Sequence, residues 1–128
     1  DVIEHFEKQE IIELLAKSSA ALRDNGLIII QTVNATSPLF GRIRYGDFTH
    51  DVAFTDTSLQ QLLTVMGFSQ PAFYASTIVV VKGFRSLLRF FLWEVLQILC
   101  KLFIYAETGR THQIVSESII AVASKKTE

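Results

Sequence analysis

The chain has 128 residues, 49% of them hydrophobic and 20% charged, and a formal net charge of −1. That composition suits one domain around one core, excludes a largely disordered chain and gives no electrostatic footprint for nucleic acid. Cys100 is the one cysteine, which excludes an internal disulfide framework and suits a reducing compartment. The first residues lack the basic segment and long apolar run of a secretory signal.

In residues 1–6, Val2, Ile3 and Phe6 suit the end of a core strand, with Glu4 and His5 at its carboxyl end. Residues 7–24 turn helical. Ile11, Leu15, Ser18 and Leu22 share a face, while Glu7, Glu10 and Glu13 favour the N-terminal end and Lys17 and Arg23 the other. Asn25-Gly26 stops the helix, with glycine expected in the left-handed conformation. Leu27 to Val33 is so rich in β-branched residues that it predicts a strand buried on both faces, central in a parallel sheet covered by helices. Helix, stop and buried strand make one half of a βαβ unit, so the expected class is three-layer α/β.

Residues 34–55 read as a long loop with room for a short helical turn, and loops of that length usually bind something or move. Thr55 caps a helix over 58–66, with Leu59, Leu62, Leu63 and Met66 inward and Gly67 ending it. Residues 68–81 carry a second strand with its core at 78–81, and 114–124 carry a third. A polar, frayed tail follows from Lys125.

Segment 83–105 projects as an amphipathic helix. Leu88, Phe91, Val95 and Leu102 fall on a wide apolar arc, opposite Arg85, Arg89, Glu94, Gln97 and Lys101. Its polar residues interrupt the run before it reaches the ~20 residues of a span. Two readings stay open: a helix lying in a membrane interface with Trp93 and Tyr105 at headgroup depth, or one packed on the sheet or a partner subunit.

Several chemistries are excluded. The six glycines form no G-x-G, so there is no dinucleotide fingerprint. Gly41 and Gly46 have P-loop spacing, but Asp47-Phe48 follows where Lys-Ser/Thr is required, and no G-x-S-x-G elbow occurs. Histidines 5, 50 and 112 show no metal-ligand spacing, and Asp47, His50 and Asp51 read as hydrated or capping groups, so no metal is expected. Glu4-His5 is placed where open α/β sheets bind ligands. It reads equally as an acid–base pair, with Glu4 orienting the imidazole, or as a cap for the following helix.

"DVIEHF", a helix, then "NGLIIIQTVN" together resemble the second half of class I S-adenosylmethionine-dependent methyltransferases. The matching residues are Asp1, Glu4 and His5, then Asn25-Gly26, then 27–33, with Asn34 closing the strand. "RYGDFTHDVAFTDTSLQQLLTVMGF" resembles the acceptor-side loop and next helix of a bacterial subset that includes methyltransferases linked to cell-surface polysaccharide synthesis. The family's glycine-rich cofactor loop would precede Asp1.

The resemblance implies the C-terminal half of a Rossmann-like fold, a mostly parallel sheet ending in an antiparallel pair formed by strands near 78–81 and 118–123, with helix 83–105 as an insertion. It implies S-adenosylmethionine as cofactor in the full-length parent, with Asp1 and Glu4 on the cofactor side. His5 and His50 would be catalytic, and Asn34, Tyr45, Asp47 and Phe54 would contact a small-molecule, saccharide or lipid-linked acceptor. The fragment alone would be inactive and homo-oligomeric. The expected location is cytoplasmic, with peripheral contact at the inner membrane face through 83–105. The competing expectation is a non-catalytic α/β module that docks on a membrane or partner through that helix.

Overall fold

The computed structural model describes residues 1–77, 83–111 and 113–126. Residues 1–6 form no strand: Ile3–His5 is a single 3-10 turn. Helix α1 is Lys8–Ala21, with the Glu7 N–H donating to Glu10 Oε2 at 2.9 Å across its first turn. The stop after α1 works differently from expectation. Asn25 takes the left-handed conformation, at φ 59°. Gly26 is needed for another reason, since a Cβ there would stand 2.7 Å from the Arg23 carbonyl oxygen.

Strand β1 is Leu27–Val33. The loop after it contains helix α2, Phe40–Gly46. Helix α3 is Asp56–Val65, capped as the sequence suggests: Thr55 Oγ1 accepts from the Ser58 N–H at 3.1 Å, and Ser58 Oγ accepts from the Thr55 N–H at 3.0 Å. Gly67 leaves the helix at φ 85°. Strand β2 is Ala72–Ala75; the strand core expected at 78–81 lies outside the described residues. Helix α4 is Phe84–Thr108 and strand β3 is Ser118–Ser124.

The three strands lie in the order β1-β3-β2, and both pairings are antiparallel, with Ile30 opposite Ala121 and Phe73 also opposite Ala121. This corrects two expectations. Among the described residues the sheet is antiparallel rather than mostly parallel, and β3 is the central strand while β1 stands at an edge. The reason is visible in β3 itself. Its side chains alternate between fully and partly buried along the whole strand, and it bonds a neighbour on each side.

One face of the sheet is packed. Ile30, Ala121 and Ala123 meet Ile11 and Leu15 of α1 and Leu59 and Leu63 of α3, closed at one end by Phe68. The other face is open among the described residues, with Leu27 61%, Ile29 67% and Tyr74 55% exposed. Among the described residues the structure thus shows two layers, not three, and β1 is covered on one side only until Val33, which is buried at its end. A continuous apolar run cannot by itself say which of its faces is covered. The C-terminal segment is also tied down where fraying was expected. The Lys125 N–H donates to the Gly26 carbonyl at 2.9 Å, its Nζ donates to the Leu22 carbonyl at 3.1 Å, and the Lys126 N–H reaches the Gly67 carbonyl.

Helix α4 is about 37 Å long at 1.5 Å per residue and buries none of its side chains. Leu87, Phe91, Leu102 and Phe103 are all more than half exposed. Gly109, at φ 72°, closes it with an N–H bond to the Tyr105 carbonyl at 2.8 Å. Among the described residues, no helix is long and apolar enough to cross a membrane.

Candidate functional site

Glu4 organises the carboxyl end of β1. Its carbonyl oxygen accepts the N–H groups of Asp51 at 2.7 Å and Val52 at 3.1 Å, which pins the loop after α2 to the 3-10 turn. Its side chain is 1% exposed and points inward, where Oε2 accepts from Thr32 Oγ1 at 3.0 Å. The other oxygen, Oε1, is buried with no hydrogen-bond partner. A polar atom stranded in this way costs about 1–3 kcal/mol, and more when charged.

The pinned loop brings His50 to His5. Their ring centroids are 4.7 Å apart, with planes inclined at 49°. Each imidazole is held through Nδ1. His50 Nδ1 lies 3.0 Å from the Ile43 carbonyl, which can only accept, so Nδ1 carries the proton and Nε2 the lone pair. His5 Nδ1 lies 2.9 Å from Thr49 Oγ1. That hydroxyl sits 2.7 Å from Asp47 Oδ1, and donating to this carboxylate leaves Thr49 to accept from His5 Nδ1. Both rings therefore present a basic Nε2. His5 is exposed and His50 half-buried, so both can be reached from solvent.

Asp47 carries the one resolved shift in the site. The Thr49 hydroxyl, then the Thr49 N–H, hold its carboxyl below the usual carboxylate range; burial opposes them, and the neighbouring His50 and His5 add lesser lowering effects. Arg44 braces the same loop, donating from Nη2 to the Asp51 carbonyl at 2.8 Å.

The remaining predicted residues are spread around this centre. Asp1 is exposed, and its Oδ2 accepts from Gln31 Nε2 at 3.2 Å. Asn34 is fully buried: its Nδ2 donates to the carbonyls of Ile114 at 2.8 Å and Ser116 at 2.9 Å, and its Oδ1 accepts from the Thr36 N–H. Asn34 thus fastens the end of β1 to the segment entering β3. Phe54 packs in the core, bridged to Asn34. Tyr45 is 81% exposed on α2, with the Arg44 guanidinium 5.5 Å from its ring centre.

Sequence reasoning missed Thr49 and Thr32, which position His5 and Glu4. Thr49 carried a signal, because Asp-x-Thr is the spacing of a side-chain turn in which the aspartate accepts the N–H two residues on; here that bond is 2.9 Å. It also missed an open groove of about 710 Å³ between α4 and the ends of the strands, whose lining includes Arg42, Arg85, Arg89, Leu92 and Trp93.

No protein-family model matches the sequence, and no curated protein matches it. Among solved structures the chain is similar to one described as a SAM dependent methyltransferase from Archaeoglobus fulgidus, with a TM-score of 0.61 and 18% identity. The match covers 97% of this chain and 56% of that one, so this chain spans little more than half the length of its structural neighbour. The likeness is one of fold.

Replacing Thr49 with Val removes the largest of the effects that lower the Asp47 carboxyl. Its pKa should rise toward the ordinary carboxylate value in an NMR pH titration. An unchanged midpoint would show that the hydroxyl does not set it.

Proposed function

We propose that this chain is the acceptor-side portion of an S-adenosylmethionine-dependent methyltransferase. The observation that carries the reading is the pair of imidazoles at the carboxyl end of β1, each with its Nε2 free, in a fold shared with an enzyme of that class. Ligands in open α/β sheets bind at such strand ends. The cofactor supplies a methyl group made electrophilic by its sulfonium. What remains for the protein is to hold an acceptor in line and to take its proton.

His5 and His50 are the bases of this proposal, either Nε2 accepting the proton of an acceptor hydroxyl. Asp47, through Thr49, keeps His5 in the required tautomer and stabilises its charge once it is protonated. Asp1, exposed and bonded by Gln31 Nε2 of β1, and Glu4, buried and bonded by Thr32, are the cofactor-side carboxylates of this reading. Tyr45 and Asp47 face the acceptor, while Asn34 and Phe54 hold the strand end that forms its floor. The open edge of β1 and the exposed Leu27 and Ile29 are surface that further sheet and helix, or a second copy of the chain, would cover.

A second reading is favoured by α4, which buries none of its side chains. In it the helix docks on a membrane surface or a partner subunit and the module need not be catalytic. Flotation with anionic vesicles tests the membrane arm of this reading: the chain should rise with the lipid, and a Phe91→Lys/Val95→Lys variant should not. A wild-type chain that stays in the soluble fraction would remove the membrane.

Methyl transfer is tested in the full-length protein that carries this chain, with radiolabelled S-adenosylmethionine. His5→Ala and His50→Ala should each lower the transfer rate by roughly 10²–10⁴-fold, the usual contribution of a positioned base, with cofactor affinity by calorimetry little changed. Equal loss of cofactor binding would contradict the acceptor-side assignment.

A further inference from the structure

Two features of the site have no part in acid–base catalysis, and a third serves a further role as well. Glu4, His5 and His50 bring one carboxylate oxygen and two imidazole nitrogens within 4.8 Å of one another. The buried Glu4 Oε1 has no partner. Both imidazoles are tethered through Nδ1, one to a backbone carbonyl and one to a hydroxyl backed by a carboxylate, leaving Nε2 free. Metal-ligating histidines are held in this way, with the second ring nitrogen donating to a carbonyl or carboxylate that fixes ring orientation and raises ligand basicity.

We infer that Glu4, His5 and His50 form a binding site for a divalent first-row transition-metal ion. Two imidazoles and one carboxylate, with positions left open, are the donor set such ions take in facial sites, whereas magnesium and calcium prefer sites made of oxygen alone. A carboxylate oxygen of Glu4 would ligate such an ion, and Glu4 has one, Oε1, that lacks a partner within the protein. Ligands about 2.0–2.2 Å from an ion sit closer together than the span seen here. The difference falls to the exposed His5 and half-buried His50 side chains, which have room to turn. Glu4 is fixed by Thr32 and by the loop bonded to its carbonyl, and serves as the anchor.

The donors come from two segments far apart in sequence, joined by the Asp51 and Val52 amide bonds, which is why spacing gave no sign of them. The site does not require the methyl-transfer reading. If that reading holds, an ion here would take an acceptor oxygen at an open position and lower its pKa; with both Nε2 atoms then ligating the ion, the proton would pass to solvent water rather than to His5 or His50.

Cobalt(II) is the probe, because binding can be followed by calorimetry and by its visible absorption without any assay of activity. The full chain should bind one equivalent, with absorption bands that show nitrogen ligation. Affinity should fall at least tenfold in His50→Ala and in His5→Ala. Glu4→Gln should weaken binding similarly, and because Glu4 is buried, circular dichroism must show the variant folded; should it unfold, the histidine variants alone decide. Failure to bind one equivalent at concentrations up to about a millimolar would overturn the site. So would affinity that survives both histidine changes, which would mean an adventitious ion only. Ion binding and methyl transfer are read separately, the second by the cofactor assay, so failure of one is distinguishable from failure of the other.

Discussion

The main-chain carbonyl of Glu4 accepts two amide hydrogens, from Asp51 and Val52, and the geometry of the site follows from that contact. It joins a 3-10 turn at the start of the chain to the far end of a loop that Arg44 also braces. His5 and His50 meet because their neighbours in sequence are held there, and Thr49, between Asp47 and His50, falls where its hydroxyl can meet His5. The Glu4 side chain adds an anchor on β1 through Thr32. One residue thus connects turn, loop and sheet, and it does so while leaving a carboxylate oxygen buried without a partner. Such an atom is rare in a folded protein because leaving it unsatisfied is costly.

A second constraint shapes the rest of the surface. The sheet packs its core on one face only, against α1 and α3, and the opposite face exposes Leu27, Ile29 and Tyr74. Helix α4 adds a further apolar surface that touches little of the sheet. Large exposed apolar areas rarely stay uncovered in a protein that works alone. The chain spans 56% of the methyltransferase it resembles in fold.

Local signals in the sequence were read well where local physics decides the outcome. Thr55 capped its helix, Leu59 and Leu63 turned inward, and Gly67 ended the turn, because caps and helical periodicity depend on near neighbours. Leu27–Val33 was a strand as expected, but its place at the edge and its one open face depend on which strands pair with it, and a uniform apolar run does not encode that. The left-handed residue was Asn25 where Gly26 was expected, a difference of one position in a tight turn. Glu4 and His5 stood out by their place after an apolar segment, although that segment is a 3-10 turn. The meeting of His5 with His50 was not legible, since it rests on backbone bonds between segments with no shared pattern.

Hydrogen exchange of single amides reads the contact between Glu4 and the loop directly in the unmodified chain. The amides of Asp51 and Val52, both bonded to the Glu4 carbonyl, should exchange far more slowly than that of the neighbouring exposed Phe48, because exchange requires the loop to open. Exchange of both at the rate of Phe48 would mean that the loop is not held there, and that the two histidines do not share a site.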